Sequence, residues 1–144
     1  MNIVVSACLL GENCKYNGGN NRSQAVLDFC EGHRVIPVCP ECAGGLPIPR
    51  VPAERVGAEV IDRDGVNRTQ DFIRGTERTL KELEKERIDL AILKSRSPSC
   101  GVLKVYDGSF SGKLIEGRGM FAEALSARGV KLLDSSELDE AAPE

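Results

Sequence analysis

Residues 2–8 read NIVVSAC, an apolar run that ends at a serine and is followed closely by a cysteine. Branched aliphatic residues without polar alternation are typical of a strand buried on both faces of a parallel sheet. Two later runs, 34–38 and 89–93, have the same character. Helical patterns separate the three runs, and this alternation predicts an α/β fold, a three-layer Rossmann-like domain with a mainly parallel sheet.

Three helices are predicted, at about 23–30, 70–87 and 119–127. In the second, apolar residues recur at spacings of three and four, and Thr69 precedes them as a candidate N-cap. Further strand candidates are 58–61, placed off the main sheet, 102–106 and 130–133. The five prolines between positions 37 and 52 exclude a helix there and predict a long loop. We expect one domain over 1–138 and a frayed tail over 139–144.

The composition narrows the class of ligand. A net charge of −3 over 144 residues provides no basic face for a long nucleic acid. Single basic residues stand beside candidate site residues, which favours a small anionic or polar ligand; they are Lys15, Arg50, Lys94 and Arg96. The N-terminus lacks the basic residues of a signal peptide, and no apolar stretch is long enough to span a membrane. We therefore expect a cytoplasmic protein without a membrane partner, and its oligomeric state is left open.

Six cysteines and a single histidine guide the prediction of function. Thiols stay reduced in the cytoplasm, where cysteines in loops are more typical of metal binding or catalysis than of disulfides. Cys8, Cys39 and Cys100 follow the three predicted strands. Since ligands of parallel sheets bind at the carboxyl ends of the strands, these cysteines are expected to converge at one edge. The sequence thus predicts a metal centre with mostly thiolate ligands.

The neighbouring motifs leave several roles open. Cys39 and Cys42 form a C-x-x-C pair, which is typical of half of a zinc site, of a redox pair or of part of an iron–sulfur ligand set. Alternatively, Cys42 is only a small buried residue. Cys14 is either a ligand or a loop cysteine, and Tyr16 beside it can stack on a flat ring. The turn at 96–101 follows the third strand, and its backbone N–H groups are expected to form an anion-binding concavity.

Six short motifs, taken together, resemble one known family. They are SACLLG (6–11), CKYNG (14–18), PVCPE (37–41), GGLPIPR (44–50), SPSCG (97–101) and YDGSF (106–110). Over residues 6–137 the chain is similar to the iron–sulfur-dependent thiouracil desulfidases, a family formerly known as a domain of unknown function. Each motif is short, and the combination is what is specific.

The resemblance implies a [4Fe–4S] cluster held by only three protein ligands, Cys8, Cys39 and Cys100. The fourth iron is then open to the sulfur of a thiolated pyrimidine such as 4-thiouracil, and soft sulfur suits such a centre. The implied reaction is hydrolytic: C=S becomes C=O, and hydrosulfide leaves. Glu41 is the expected general acid/base, while Ser97 orients the substrate or relays the proton.

The expected substrate contacts are Ser99, Tyr16 and Arg50. Ser99 is also the alternative candidate for the role of Ser97 in orienting the substrate or relaying the proton. The expected binding partner is therefore a small thiolated pyrimidine, and neither a long nucleic acid nor a membrane is expected as a partner.

The main alternative is a non-catalytic binding domain with a closed site. In it Cys42 joins Cys8, Cys39 and Cys100 around zinc, the lesser metal candidate, or around a cluster. A third hypothesis is a thiol-redox protein that uses Cys39 and Cys42. The number of protein ligands separates these hypotheses, because closed four-cysteine sites are structural and open ones catalytic. Cys14 competes with Cys8 for its ligand position.

Overall fold

A computed structural model describes the backbone of residues 1–141 and the side chains of residues 1–138. In chain order its strands are β1 (Asn2–Ser6), β2 (Arg34–Val38), β3 (Ala53–Val56), β4 (Glu59–Asp62), β5 (Leu90–Leu93), β6 (Lys104–Tyr106), β7 (Leu114–Glu116) and β8 (Leu132–Asp134). The helices are α1 (Gln24–Cys30), α2 (Pro40–Ala43), α3 (Thr69–Leu83), α4 (Met120–Ala127) and α5 (Ser135–Ala141).

The central sheet has four parallel strands in the order β2–β1–β5–β8, which confirms the predicted mainly parallel sheet. β1 lies between β2 and β5, and its apolar residues Ile3, Val4 and Val5 are fully buried. One face of the sheet packs against α3 and α4, and the other packs against α1 and Leu138 of α5. Helices on both faces give the predicted three-layer α/β fold.

Two antiparallel hairpins, β3–β4 and β6–β7, lie outside this sheet. β4 corresponds to the strand predicted off the main sheet at 58–61, whereas its partner β3 is not predicted. β6 begins at Lys104, later than the predicted start, and pairs with β7 rather than with the central sheet. The sequence does not predict these pairings because each strand is only three or four residues long.

The proline-rich segment differs from its prediction. It begins with a one-turn helix, α2, whose first residue is Pro40. Proline is tolerated at the first helical position because its missing N–H needs no partner there and its φ suits the helix. The prediction that prolines exclude a helix is therefore wrong over Pro40–Ala43. As a result Cys39 is the N-cap of α2, and Glu41 lies in its first turn.

The ends of α3 also differ from the prediction. Thr69, the expected N-cap, is the first helical residue, and Arg68 takes the N-cap position. The Thr69 hydroxyl oxygen instead accepts the N–H of Val60 at 2.9 Å and joins α3 to β4. The helix ends at Leu83 rather than at 87.

The C-terminal segment contains a helix that the sequence does not predict. α5 follows β8 directly, and the Asp134 carboxylate accepts the N–H of Ser136 at 3.2 Å at its start. The frayed tail over 139–144 stays a prediction: the backbone is helical as far as Ala141, and 142–144 lie outside the described residues. Within residues 1–141, no helix has the length and apolar character that a membrane span needs.

α2 packs against α3 backbone to backbone, through two glycines. A Cβ atom on Gly75 would lie 1.8 Å from the carbonyl oxygen of Pro40, and one on Gly44 would lie 2.1 Å from that of Asp71. No side chain fits at either position. This close contact between the two backbones fixes the distance of α2 from α3, and with it the position of Cys39 at the start of α2.

Gly75→Ala is expected to destabilise the protein by about 2 kcal/mol. The clash with backbone atoms costs about 3 kcal/mol, the upper end of the usual range for overpacking, and outweighs the gain of about 1 kcal/mol in helix propensity. Urea unfolding of the purified variant measures the change. Glu77→Ala, at an exposed position of the same helix, is the control and should stay within about 0.5 kcal/mol of the unchanged protein. A Gly75→Ala protein as stable as this control would show that the two helices are free to separate.

Candidate active site

A cavity of about 470 Å³ lies at the carboxyl ends of β1, β2 and β5. This is the edge at which the sequence predicts the site. Cys8, Cys39 and Cys100 all line it. They converge because the strands that precede them are neighbours in the sheet. β3 and β6 add Glu54 and Tyr106 to the wall.

Cys8 lies in a one-turn 3-10 helix (Ala7–Leu10) directly after β1. Gly11 ends this turn with a φ of +98°, a left-handed conformation that favours glycine. The pKa of Cys8 is lowered to about 7, mainly by a hydrogen bond with Cys14 and also by one with Asn21, while burial opposes the shift. Cys8 is therefore partly a thiolate near neutral pH, which is the form that binds a metal.

Cys39 has the lowest thiol pKa in the cavity. Its pKa falls to about 6, and the hydrogen bond with Cys14 is again the largest cause, with burial opposing and Cys42 adding backbone and side-chain hydrogen bonds. Cys14 has a single S–H proton, so it donates to only one of Cys8 and Cys39 at a time. The pKa of Cys14 is raised by these hydrogen bonds, first by the one with Cys39, so Cys14 is the protonated donor.

Cys100 is buried, with 4% of its surface exposed. Burial raises its pKa to about 12, although a hydrogen bond with Ser6 favours the thiolate. A thiol in this environment ionises only when a positive charge approaches it, and a bound metal supplies such a charge.

Ser97 holds the turn that carries Cys100. The Ser97 hydroxyl oxygen accepts the N–H of Ser99 at 3.2 Å and the N–H of Cys100 at 3.0 Å. The Ser97 carbonyl accepts the N–H of Gly101 at 2.9 Å. The amides of Ser99, Cys100 and Gly101 are thus used inside the turn, and the anion-binding role of the backbone at 96–101 stays a prediction.

Glu41 is the centre of a hydrogen-bond chain on the cavity wall. Its Oε2 accepts the Ser99 hydroxyl proton at 2.8 Å, and its Oε1 accepts Arg50 Nε–H at 3.2 Å. The hydroxyl oxygens of Ser97 and Ser99 are 3.0 Å apart. Since Ser99 has one hydroxyl proton and gives it to Glu41, Ser97 is the donor in this second bond. Donors therefore follow one another from Ser97 through Ser99 to the carboxylate.

The Arg50 guanidinium forms its hydrogen bonds within the protein. Only 7% of its side chain is exposed. Besides Glu41, its guanidinium donates to the carbonyl of Cys14 at 2.8 Å and to that of Pro47 at 3.4 Å. Its backbone N–H donates to the carbonyl of Tyr16 at 2.7 Å. These contacts make Arg50 a positioning residue for Glu41 and for the Cys14 loop, and direct contact with substrate stays a prediction.

Cys14 and Cys42, the two motif cysteines outside the implied ligand set, differ in their positions relative to the cavity. Cys14 lines the cavity together with Tyr16. Cys42 is absent from the lining residues, and its sulfur lies 3.9 Å from Arg50 Nη1. Burial raises the pKa of Cys42 to about 11. Tyr16 is exposed, and the Lys15 ammonium lies 5.7 Å from the centre of its ring.

Glu54 is a cavity residue to which the sequence assigns no role. Its buried carboxylate accepts the N–H of Gly108 at 3.0 Å and that of Phe110 at 3.1 Å. These bonds hold the β6–β7 loop at the cavity wall, with Phe110 in the left-handed region at a φ of +54°. The contact joins residues far apart in the chain, so no local sequence signal predicts it.

Lys94 is placed by the structure in the cavity wall, close to Cys8. Burial lowers the pKa of Lys94, while the Cys8 charge opposes this shift. Its ammonium donates to the carbonyl and the hydroxyl of Ser95 at 3.1 and 3.0 Å. The sequence shows this lysine only as a basic residue near the site.

The donor set fits a cluster better than a single ion. Among the described side chains, no three Cys, His, Asp or Glu groups are arranged around one point as ligands for one metal ion. An iron–sulfur cluster makes a different demand, because each thiolate binds a different iron and the sulfurs surround a volume. Cysteines that follow three neighbouring strands and line a cavity of about 470 Å³ fit this arrangement.

Comparison with known proteins agrees with these features. A family model described as 2-thiouracil desulfurase matches residues 3–137. YbbK, an uncharacterised protein of Bacillus subtilis (strain 168), is 34% identical over an alignment of 148 positions that covers 96% of this chain and 98% of YbbK. The solved structure of TudS, a [4Fe-4S]-dependent thiouracil desulfidase, is 40% identical with a TM-score of 0.88, and the match covers 96% of this chain and 93% of that one. The resemblance carried by the six motifs is confirmed, and the chain belongs to the 2-thiouracil desulfurase family.

Proposed function

We propose that the protein is an enzyme that removes sulfur from a thiolated pyrimidine, such as 4-thiouracil, with the help of a [4Fe–4S] cluster. Membership of the 2-thiouracil desulfurase family and the likeness to TudS support this activity. The observation that carries the proposal for this chain is the placement of Cys8, Cys39 and Cys100 around one cavity that also contains Glu41.

The proposed cluster ligands are Cys8, Cys39 and Cys100. When bound through only three thiolates, a cluster supplies an iron with an open position, a Lewis acid to which a soft thiocarbonyl sulfur can bind. Cys8 and Cys39 suit this role because hydrogen bonds lower their pKa values to about 7 and about 6. Cys42, which the closed-site alternative requires, lies outside the lining of the cavity and does not support that alternative.

Glu41 is the proposed general acid/base. Its two oxygens accept hydrogen bonds from Ser99 and Arg50, an arrangement that suits a carboxylate. In a hydrolytic desulfuration it takes one proton from the water that attacks the ring carbon, while C=S becomes C=O and the second proton of that water leaves with the sulfur as hydrosulfide. Arg50 holds the carboxylate at the cavity wall during this step.

The proposed substrate is a small molecule, because the cavity volume of about 470 Å³ suits a pyrimidine and its substituents. Tyr16 lines the cavity and is exposed, so its ring is available for stacking on the pyrimidine. Ser99 and Arg50 complete the proposed contacts. A cytoplasmic location and the absence of a long nucleic-acid partner stay predictions.

The two serines are expected to differ in their effects. Ser99→Ala removes the donor to Glu41 and should keep the iron content while it lowers kcat by up to about 100-fold, because Glu41 loses a contact that positions it. Ser97→Ala also leaves two backbone N–H groups without their acceptor, at about 1–3 kcal/mol each, and should lower the iron content through Cys100. Iron analysis and desulfidation rates of both variants check this. Iron contents that are equal in the two variants would contradict the difference in role.

Turnover of 4-thiouracil by anaerobically purified protein tests the proposed function. We expect uracil and hydrosulfide in equal amounts without an added electron donor, because hydrolysis changes no oxidation state. Protein that contains the cluster but releases no hydrosulfide would contradict the proposed activity. Activity that depends on an added reductant would contradict the hydrolytic mechanism alone.

A further inference from the structure

Both tyrosines of the chain and one of its four phenylalanines line the cavity. These residues are Tyr16, Tyr106 and Phe110. Two of them belong to one segment, since Tyr106 is the last residue of β6 and Phe110 lies in the loop 107–113 between β6 and β7. The YDGSF motif at 106–110 thus brings two aromatic residues to the site, and the proposed function assigns a role to neither of them.

The base of the β6–β7 hairpin is joined to the turn that carries Cys100. Arg96, in that turn, and Val105, in β6, form a β-bridge, and Val105 is buried. After β7, the N–H of Gly119 donates to the carbonyl of Gly101 at 2.8 Å. The hairpin therefore has a fixed position relative to Cys100, one of the proposed cluster ligands.

The tip of the hairpin is held against β3. Oε1 of the buried Glu54 accepts the N–H of Gly108 at 3.0 Å and the N–H of Phe110 at 3.1 Å. A Cβ atom on Gly108 would lie 2.5 Å from Cγ2 of Val56, so the loop approaches β3 more closely there than a side chain allows. These contacts fix the backbone of Phe110 at the cavity wall.

Phe110 has a backbone conformation that is unusual for a residue with a side chain. Its φ of +54° lies in the left-handed region, which glycine occupies most readily. Glycine is present at the other two left-handed positions of the loop, Gly108 and Gly112. A phenylalanine in this conformation carries an energetic cost, and such costs are concentrated at functional sites. Since Phe110 lines the cavity, contact with a bound molecule is the function that its position supports.

On the basis of the proposed function, we propose that Phe110 determines specificity for the pyrimidine ring. Its side chain packs against the ring of the bound substrate, and Glu54 is the positioning residue that holds it there. An aromatic side chain and a pyrimidine attract each other through offset or edge-to-face contacts. Such a contact depends on the ring and not on the sulfur, so it favours a cyclic thiocarbonyl over an acyclic one such as thiourea.

Phe110→Gly removes the aromatic ring and suits the left-handed backbone, so it tests the contact without straining the loop. We expect KM for 4-thiouracil to rise roughly tenfold with kcat little changed, the pattern for a contact that the ground state and the transition state share. Inhibition by uracil, which has the ring but no sulfur, should weaken by the same factor. Inhibition by sodium sulfide, a ligand for iron alone, should not change. Phe110→Tyr keeps a ring and should keep KM within about twofold.

Glu54→Ala and Glu54→Gln test the positioning role. Alanine provides no acceptor for the two loop N–H groups, and KM for 4-thiouracil should rise roughly as much as in Phe110→Gly. Glutamine retains a carbonyl oxygen with two lone pairs that can accept both N–H groups, so KM should stay within about twofold of the unchanged protein. The iron content, measured on the same preparations, should be equal in the two variants. An equal rise of KM in both would overturn the positioning role.

An unchanged KM for 4-thiouracil in Phe110→Gly would overturn the proposal, as would sulfide inhibition that weakens together with uracil inhibition. If Phe110→Gly does not bind a cluster, Phe110→Leu decides, because it keeps an apolar side chain without an aromatic ring. A KM in Phe110→Leu equal to that of the unchanged protein would then overturn the proposal. Unchanged protein that contains the cluster but does not convert 4-thiouracil would instead contradict the proposed function, so the two failures are distinguishable.

Discussion

Cys39→Ala is expected to abolish both cluster binding and turnover, whereas Cys42→Ala retains both. The two cysteines belong to one C-x-x-C motif, but the structure gives them different surroundings. Cys39 lines the cavity, and its pKa is lowered to about 6 by hydrogen bonds. Cys42 lies outside the cavity lining, and burial raises its pKa to about 11. The first position therefore presents a thiolate to the cavity, whereas the second lies outside the cavity in which the cluster would bind.

Iron and sulfide analysis of the two anaerobically purified variants, together with their desulfidation rates, measures this difference. Each variant removes one sulfur from the same short segment, so the pair controls for general effects on folding. Equal losses of iron in both variants would show that both cysteines are ligands. That result would favour the closed four-cysteine site and remove the open iron from the mechanism.

Glu41→Gln is expected to keep the cluster and to lower kcat by roughly 10²–10⁴-fold, the range for loss of a general acid/base. The amide is almost the same size as the carboxylate, so the cavity wall stays intact. It cannot take a proton from water, however, and its NH₂ group meets a donor from Arg50 or Ser99. The cluster should remain because Glu41 contacts Ser99 and Arg50 and is not one of the proposed ligands.

Steady-state rates and iron content, measured on the same preparations, check the Glu41 prediction. Glu77→Gln, an exposed carboxylate on α3, removes the same charge at a distance and should leave both quantities unchanged. Full turnover in Glu41→Gln would remove Glu41 from the mechanism. Loss of iron together with activity would place Glu41 among the groups that hold the cluster.

The convergence of the proposed ligands is predictable from the sequence because it depends on a local signal and a general rule. Runs such as 2–6 and 34–38 are apolar without alternation, which predicts buried parallel strands. The rule that such sheets bind ligands at the carboxyl ends of their strands then brings Cys8, Cys39 and Cys100 to one edge. The strand order β2–β1–β5 makes these three strands direct neighbours.

The network around Glu41 is not predictable in the same way. Glu41 meets Ser99 across 58 positions of the chain, a pairing that only the packed structure determines. The helix that carries Glu41 is also missed, since its single turn starts at a proline in a proline-rich segment. The distinction between Cys14 and Cys42 has the same origin: spacing favours Cys42 as the partner of Cys39, but the loop after β1 brings Cys14 into the cavity.

The most direct test is the visible spectrum of anaerobically purified protein, combined with its iron, sulfide and zinc content. We expect a brown protein with broad visible absorption and about four iron and four sulfide per chain, as a [4Fe–4S] cluster requires. The colour should persist in Cys42→Ala and disappear in Cys39→Ala. A colourless protein with one zinc per chain would contradict the cluster, the open iron and the desulfidase function together.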